Sequence, residues 1–153
     1  MNSPQLETAL YRATISTFED LALLFAEQEL DMAHQRAQPT RAVSVRFGGA
    51  IEGRLVLRMT GAALASAAAN MLGADLPPDD DVCADALGEL ANVICGNLLP
   101  VIAGDDAVFQ LGGPVPTDAN GDAFRSAPLA AAAHVGLEDG RADVLLVLTP
   151  ATA

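Results

Sequence analysis

The thirteen residues from Asp85 to Asn97, DALGELANVICGN, decide how this chain is expected to fold. Apolar side chains recur through them every three or four positions, which is the spacing of a stripe along one side of an amphipathic helix. The stripe consists of Leu87, Leu90, Ala91, Ile94 and Leu98. The flanking sequence extends the helix from about Asp80 to Ala103. We expect this helix to pack its apolar stripe on the core of the domain.

The opposite side of the same helix carries polar residues without a basic partner. At about 100° per residue, Asp85, Glu89 and Asn92 share an arc of about 60°, and Gly96 falls inside it. One interpretation is an ordinary solvated face, since the helix dipole favours acidic residues near an N-terminus. The other is a functional face, because the helix offers no Lys or Arg to either carboxylate and an interior glycine costs about 1 kcal/mol relative to alanine.

The charge of the chain excludes several classes of function. Eight basic residues, all of them Arg, stand against 20 Asp and Glu, which gives a formal net charge of −12. This charge repels nucleic-acid phosphates and anionic membrane surfaces, so neither is an expected partner. The absence of lysine excludes a Schiff-base nucleophile and the lysine of a phosphate-binding P-loop.

Length and composition predict one domain spanning residues 1–153, with an aliphatic core, since 51% of the residues are apolar but only 4% are aromatic. The sequence shows no leader-like apolar segment and no uninterrupted apolar run of about 18 to 20 residues, so we expect a cytoplasmic protein. Cys83 and Cys95 lie on one predicted helix, about 18 Å apart, and cannot form a disulfide with each other.

A metal site is not expected. His34 and His134 are far apart in the sequence and have no neighbouring Cys or second His. The acidic run 79–81, together with Glu89, offers oxygen ligands for calcium, but consecutive aspartates lack the alternating ligands of a calcium loop. Helix capping is the favoured interpretation of this run.

The first half of the chain predicts two helices around a hairpin. Ser3 is expected to cap a helix from Pro4 to about Leu24, and residues 30–40 are expected to form a loop. Residues 43–59 alternate between apolar and polar side chains and predict two strands. The turn between them is placed around Gly48, Gly49 and Gly53. Thr60 is then expected to cap a small-residue helix that ends at Gly73.

The second half predicts the long helix, one strand over residues 107–111 with a proline-glycine turn, and a polar loop from Thr117 to Pro128. A second hairpin turns at Asp139 and Gly140. The predicted class is therefore α/β (α+β), with long helices packed on a largely antiparallel sheet and a weak pseudo-repeat of helix and hairpin units.

These residues and their order resemble the CheC, CheX and FliY family of chemotaxis phosphatases. The family signature has an acidic residue or Ser, then Glu, then Asn, at the spacing of Asp85, Glu89 and Asn92. A proline is expected about 23 positions after the Asn, where this chain has Pro114 and Pro116, one to either side. A single Glu-Asn pair makes the chain similar to a single-domain CheX, and the resemblance implies a CheC-like fold and a homodimer.

The resemblance also implies a function, which is to dephosphorylate the phospho-aspartate of a CheY-like response-regulator receiver domain. Asn92 would orient the attacking water and Glu89 would pair with a lysine of the receiver. Asp85 would support the helix or contact the partner, and Gly96 is our addition as a site of close docking. No cofactor of its own is implied, because the receiver would hold the Mg²⁺. The alternative is a non-catalytic module that docks on a receiver or a flagellar component, or serves for dimerisation.

Overall fold

The computed structural model describes residues 2–73, 78–120 and 129–149. Four helices and six strands are found in these ranges. The helices are α1 (Ser3–Ala22), α2 (Met32–Arg36), α3 (Gly61–Leu72) and α4 (Asp80–Ala103). The strands are β1 (Arg41–Gly49), β2 (Glu52–Met59), β3 (Phe109–Leu111), β4 (Val115–Thr117), β5 (Ala131–Leu137) and β6 (Gly140–Thr149).

All the strands form one antiparallel sheet in the order β3-β1-β2-β6-β5, and β4 also pairs with β1. The two long hairpins, β1–β2 and β5–β6, meet through their second strands. Strands β2 and β6 are therefore adjacent, with β1 next to β2 and β5 next to β6. This arrangement matches the pseudo-repeat predicted from the sequence. The predicted class, helices on a largely antiparallel sheet, is confirmed.

One face of the sheet builds the core. Val43, Leu57, Val144 and Ala133 stand opposite one another across four strands, and all are buried. The helices α1, α3 and α4 contact this sheet and each other. Because side chains alternate between the two faces of a strand, the intervening residues form a second face on the other side.

Helix α4 has the bounds that the sequence predicted. The side chain of Asp79 accepts a hydrogen bond from the backbone N–H of Val82, which caps the first turn, and the chain leaves the helix at Gly104 with φ +98°. By length and composition alone α4 could cross a membrane, but half of its most apolar 18-residue window is buried inside the fold. It packs against α1, α3, β1 and β2 as the central helix of the domain.

Several sequence predictions about the first half of the chain were wrong in detail. The cap of α1 is Asn2 rather than Ser3, because the Asn2 side chain accepts from the Gln5 backbone and the Gln5 side chain accepts from the Asn2 backbone. The expected loop at residues 30–40 contains α2, which is held by a similar capping box between Asp31 and His34. A capping box satisfies two backbone donors at once, which lets so short a helix form.

The glycines and the region after α4 also differ from the sequence prediction. Gly53 lies inside β2, not in the turn, and a Cβ there would clash with the Val147 carbonyl oxygen of the neighbouring strand. The glycine is therefore needed for close strand packing. The predicted loop beginning at Thr117 overlaps β4, which the sequence prediction missed. Its remainder, residues 121–128, lies outside the described residues.

A buried ion cluster ties the second face of the sheet together. Arg58, Asp143 and His134 are register neighbours on β2, β6 and β5. Asp143 is fully buried and accepts from Arg58 Nε at 2.7 Å, contacts His134 Nδ1 at 2.7 Å and pairs with Arg141 Nη2 at 3.3 Å. Burial alone would raise the pKa of Asp143, but the hydrogen bonds from His134 and Arg58 and the two arginine charges outweigh it and lower that pKa.

Candidate functional site

The four predicted site residues lie along one side of α4. Asp85, Glu89 and Gly96 are exposed, and Asn92 is half-buried. The apolar stripe on the other side is fully or almost fully buried, at Leu87, Leu90, Ala91, Ile94 and Leu98. The packing of that stripe fixes the rotation of the helix and therefore the direction in which the polar residues point. We call this row of residues, Asp85, Glu89, Asn92 and Gly96, the polar face of α4.

The carboxylates of the polar face have no basic partner within the described ranges. Of the arginines, Arg41 pairs weakly with Asp80 in the first turn of α4, at 3.7 Å, while Arg58 and Arg141 pair with Asp143 on the far side of the sheet. Neither Asp85 nor Glu89 takes part in any of the ion pairs found among residues 2–73, 78–120 and 129–149. Their negative charge is thus available to another molecule.

Two asparagines on α4 differ sharply in their hydrogen bonding. Asn97 Nδ2 donates to Thr17 Oγ1 on α1 at 3.1 Å, which joins the two helices. The Oδ1 of Asn92, by contrast, is buried and has no hydrogen-bond partner among residues 2–73, 78–120 and 129–149. Leaving a buried polar group unsatisfied costs about 1–3 kcal/mol. Asn92 therefore carries a cost that Asn97 does not, and an unsatisfied group of this kind calls for an explanation, of which a functional role is one.

The loop between β3 and β4 covers one flank of the polar face. The backbone N–H of Gly112 donates to the Arg46 carbonyl at 2.7 Å, which anchors this loop to β1. Pro114 then reaches α4, because a Cβ built on Gly88 would stand 3.1 Å from its Cβ and Cγ. Pro116 instead lies in β4 opposite Val43. Of the two prolines left open by the sequence, Pro114 is thus the one that contacts the signature helix, one turn before Asn92.

Gly96 stands in an open place on the helix. A Cβ built there would meet no atom of the described residues within 4 Å. Packing within this part of the chain does not require a glycine at this position, although glycine lowers helix stability by about 1 kcal/mol relative to alanine. The open surface is compatible with the close approach of another molecule.

A groove borders the opposite flank, between α3 and the first half of α4. It has a volume of about 350 Å³. The α3 wall consists of Ala68, Met71 and Leu72, and the α4 wall of Val82, Asp85, Ala86 and Glu89. We refer to it as the α3–α4 groove. A larger groove of about 740 Å³ lies between α1 and the second half of α4, and none of the four polar-face residues lines it.

The other chemically reactive side chains have structural surroundings. The Nε2 of His34 lies 2.8 Å from the Leu137 carbonyl oxygen, and His134 contacts Asp143. Burial raises the pKa of the Cys95 thiol to about 12, and it also raises the pKa of Cys83, so that neither is poised as a nucleophile. Within the described ranges, no group of three or more His, Cys, Asp or Glu side chains could hold a metal ion.

Solved structures that share this fold include chemotaxis proteins. CheX from Vibrio vulnificus superposes with a TM-score of 0.73 at 14% identity, covering 97% of this chain and 99% of that chain. A CheC-like superfamily protein from Shewanella sp. PV-4 gives 0.66 at 15% identity, covering 98% and 100%. The CheX of a CheX-CheY-BeF3-Mg²⁺ complex from Borrelia burgdorferi gives 0.65 at 18% identity, covering 94% and 97%. The domain therefore has the CheC-like fold.

A more specific assignment comes from the sequence itself. The family model described as chemotaxis phosphatase CheX matches residues 41–127, more than half of the chain. This chain belongs to the CheX family. No curated protein matches it in a direct sequence comparison.

Sequence reasoning identified the polar face but missed both of its borders. The α3 wall of the groove is formed by residues that sequence analysis assigned only to a small-residue helix. The contact between Pro114 and Gly88 joins positions 26 residues apart. The sequence feature that could have indicated this contact is Gly88, because a glycine inside a strongly apolar helix allows close approach by another segment.

Proposed function

We propose that this protein hydrolyses the phospho-aspartate of a CheY-like response-regulator receiver domain, in chemotaxis or a related two-component pathway. Membership of the CheX family and the CheX-CheY complex among the structural neighbours support the reaction class. The single observation that carries the proposal is made within the described residues: Glu89 has no ion pair there, and the buried Oδ1 of the neighbouring Asn92 has no hydrogen-bond partner. Both groups are prepared for contacts that this chain does not supply.

The reaction requires little from the protein except position. In an acyl phosphate, water attacks phosphorus in line with the bond to the aspartyl oxygen, that bond breaks, and the products are a carboxylate and inorganic phosphate. Such a transfer is accelerated mainly by orientation and by electrostatic stabilisation. A covalent nucleophile on this chain is not needed.

Asn92 has the chemistry to hold the attacking water. Its carboxamide can accept through Oδ1 and donate through Nδ2, so it can fix a water molecule without adding negative charge beside the phosphoryl group. Because Oδ1 is buried in the free chain, holding water through it requires the Asn92 side chain to turn outward, where the oxygen would gain a hydrogen bond. The cost of the unsatisfied group in the free protein is then offset in the complex.

Glu89 has the chemistry to anchor the helix. A carboxylate pointed at phosphoryl oxygens is repelled unless a cation lies between them, so its partner in the receiver would be a cation, and the resemblance to the family implies a lysine. Asp85 is one turn further from Asn92 and is assigned to partner binding. Gly96, with open space above it, would allow the receiver backbone to approach α4 closely. Mg²⁺ would be held by the receiver, and no cofactor is assigned to this chain.

The protein is further proposed to act in the cytoplasm as a homodimer. Three large apolar side chains are exposed on or next to the short edge strands β3 and β4, at Val108, Leu111 and Val115. Exposed apolar surface at a sheet edge is typical of a protein interface. The molar mass in sedimentation equilibrium tests this part of the proposal.

The decisive experiment measures phosphate release from purified phospho-receivers with the wild-type protein and with Asn92→Ala. We expect Asn92→Ala to lose at least about 100-fold in kcat with nearly unchanged binding, because water is no longer held in line. Glu89→Ala should weaken binding as well. The matched control is Asn97→Ala, which removes a structural amide of the same helix and should retain hydrolysis. If the wild-type protein accelerates no receiver, or if Asn92→Ala is fully active, the proposed hydrolysis is wrong, and retained binding alone would favour a docking module.

A further inference from the structure

The α3–α4 groove combines an apolar wall with unpaired carboxylates. On α3, Leu72 is 60% exposed, and Met71 is partly exposed beside it. On α4, the exposed Asp85 and Glu89 are one turn apart, so that their side chains neighbour each other along the rim. Water solvates the exposed leucine poorly. A purely apolar partner would desolvate the two carboxylates without giving them a counter-charge.

The shape and charge of the groove fit one kind of occupant. A long basic side chain has an apolar stem that packs on aliphatic surface and a charged head that prefers a carboxylate. At about 350 Å³ the groove is at the small end of ligand pockets, which span roughly 300–1,000 Å³, and it is suited to a side chain. A second copy of this chain is assigned above to the edge formed by β3 and β4, at Val108, Leu111 and Val115, which leaves the groove to another partner.

We propose that the α3–α4 groove binds an arginine or lysine of the receiver domain, distinct from the lysine paired with Glu89, and that Asp85 selects receivers carrying this basic residue. This inference rests on the proposed function and adds a specificity determinant to it. The stem of the basic residue packs on Met71 and Leu72, and its head reaches Asp85. Asp85 contacts no reacting atom in this arrangement, so it contributes to binding and not to the hydrolytic step.

The test uses the full chain and a receiver whose dephosphorylation the wild-type protein accelerates, loaded with beryllofluoride and Mg²⁺. Calorimetry gives the Kd at several salt concentrations. Asp85→Asn is expected to raise the Kd roughly threefold to tenfold and to flatten its salt dependence, with kcat unchanged. Asp105→Asn removes the same charge beyond the end of α4 and is expected to leave the Kd unchanged.

A second pair of variants tests the apolar wall. Leu72→Arg puts a positive charge into the groove and should raise the Kd more than tenfold. Val101→Arg makes a matched change at an exposed apolar residue outside the groove. Val101 lies on α4, is 56% exposed, and its substitution should have little effect. Unchanged circular dichroism in all four variants shows that each is folded.

The outcomes separate this inference from the proposed function. If Asn92→Ala abolishes hydrolysis while Asp85→Asn and Leu72→Arg bind like their controls, the phosphatase assignment stands and the role of the groove is wrong. If Asp85→Asn alters self-association instead of receiver binding, the occupant is a second copy and the inference is also wrong. If no receiver responds to the wild-type protein, both proposals fail together.

Discussion

Asp143 and Glu89 are carboxylates in opposite situations. Asp143 is fully buried, yet Arg58, Arg141 and His134 surround it at 2.7–3.3 Å. Glu89 is exposed and has no ion pair within the described part of the chain. A chain with 20 acidic residues and only eight arginines concentrates two of those arginines on Asp143, the one carboxylate that is buried within the described ranges. Arginines thus neutralise a buried carboxylate in the sheet, whereas within the described residues none pairs with the carboxylates on the polar face of α4.

The largest effect on stability is expected at the buried member of this pair. Asp143→Ala removes the buried carboxylate that the part-buried Arg58 and Arg141 share and should lower the free energy of unfolding by about 3–5 kcal/mol, the cost of breaking a buried ion pair. Urea unfolding at neutral pH measures it. Glu89→Ala is the matched control on the exposed side and should unfold at nearly the wild-type urea concentration. Equal losses in both variants would contradict the contrast drawn here.

Acid titration sharpens the same contrast. The pKa of Asp143 is lowered because two hydrogen bonds and two arginine charges outweigh the effect of burial. A carboxyl group with a lowered folded-state pKa gives stability that is fully present above its unfolded pKa of about 3.9 and is lost as the pH falls through the folded value. The stability difference between wild type and Asp143→Asn should therefore be constant above about pH 5 and shrink below about pH 3.9. A difference that does not shrink would show that Asp143 is not ionised in the folded protein.

Two glycines of α4 are expected to differ in how alanine changes stability, by less than the effect at Asp143. Gly96→Ala should stabilise the protein by about 1 kcal/mol, because a Cβ meets no atom there and alanine is the better helix former. In Gly88→Ala the same gain is offset by a contact of 3.1 Å with Pro114, so this variant should be less stable than Gly96→Ala. Thermal unfolding compares them.

The same Gly96 variant also tests close docking. If the receiver backbone approaches α4 at Gly96, the more stable Gly96→Ala should bind a beryllofluoride-loaded receiver several-fold more weakly than wild type. Wild-type affinity would show that the open surface at Gly96 is not part of the contact. Stability and binding then change in opposite directions, which is common at functional surfaces.

The smallest expected effect concerns the exposed carboxylates. Glu89→Gln and Asp85→Asn remove charges that have no ion-pair partner within the described residues, so the melting temperature should stay within the error of the measurement. A clear loss of stability in either variant would mean that these carboxylates support the fold, and would weaken the case for their role in binding.

Local patterns in the sequence predicted the parts of this fold that local physics controls. Helix α4 has its predicted bounds, because capping by Asp79 and a regular apolar stripe are properties of consecutive residues. The turn of the β5–β6 hairpin was also correctly placed. The short strand β4 was missed, because it is defined by its pairing with β1. Helix α2 was missed, because it is held by a capping box and by the contact of His34 with Leu137.

The candidate site divides in the same way. The sequence by itself determined that Asp85, Glu89, Asn92 and Gly96 share one side of a helix, since helical periodicity fixes angles between neighbours. Only the tertiary structure decided that Asn92 is half-buried with an unsatisfied oxygen, that Pro114 rather than Pro116 contacts α4, and that α3 adds an apolar wall. These features depend on which distant segments pack together, and that packing reflects the free energy of the whole core rather than any local pattern.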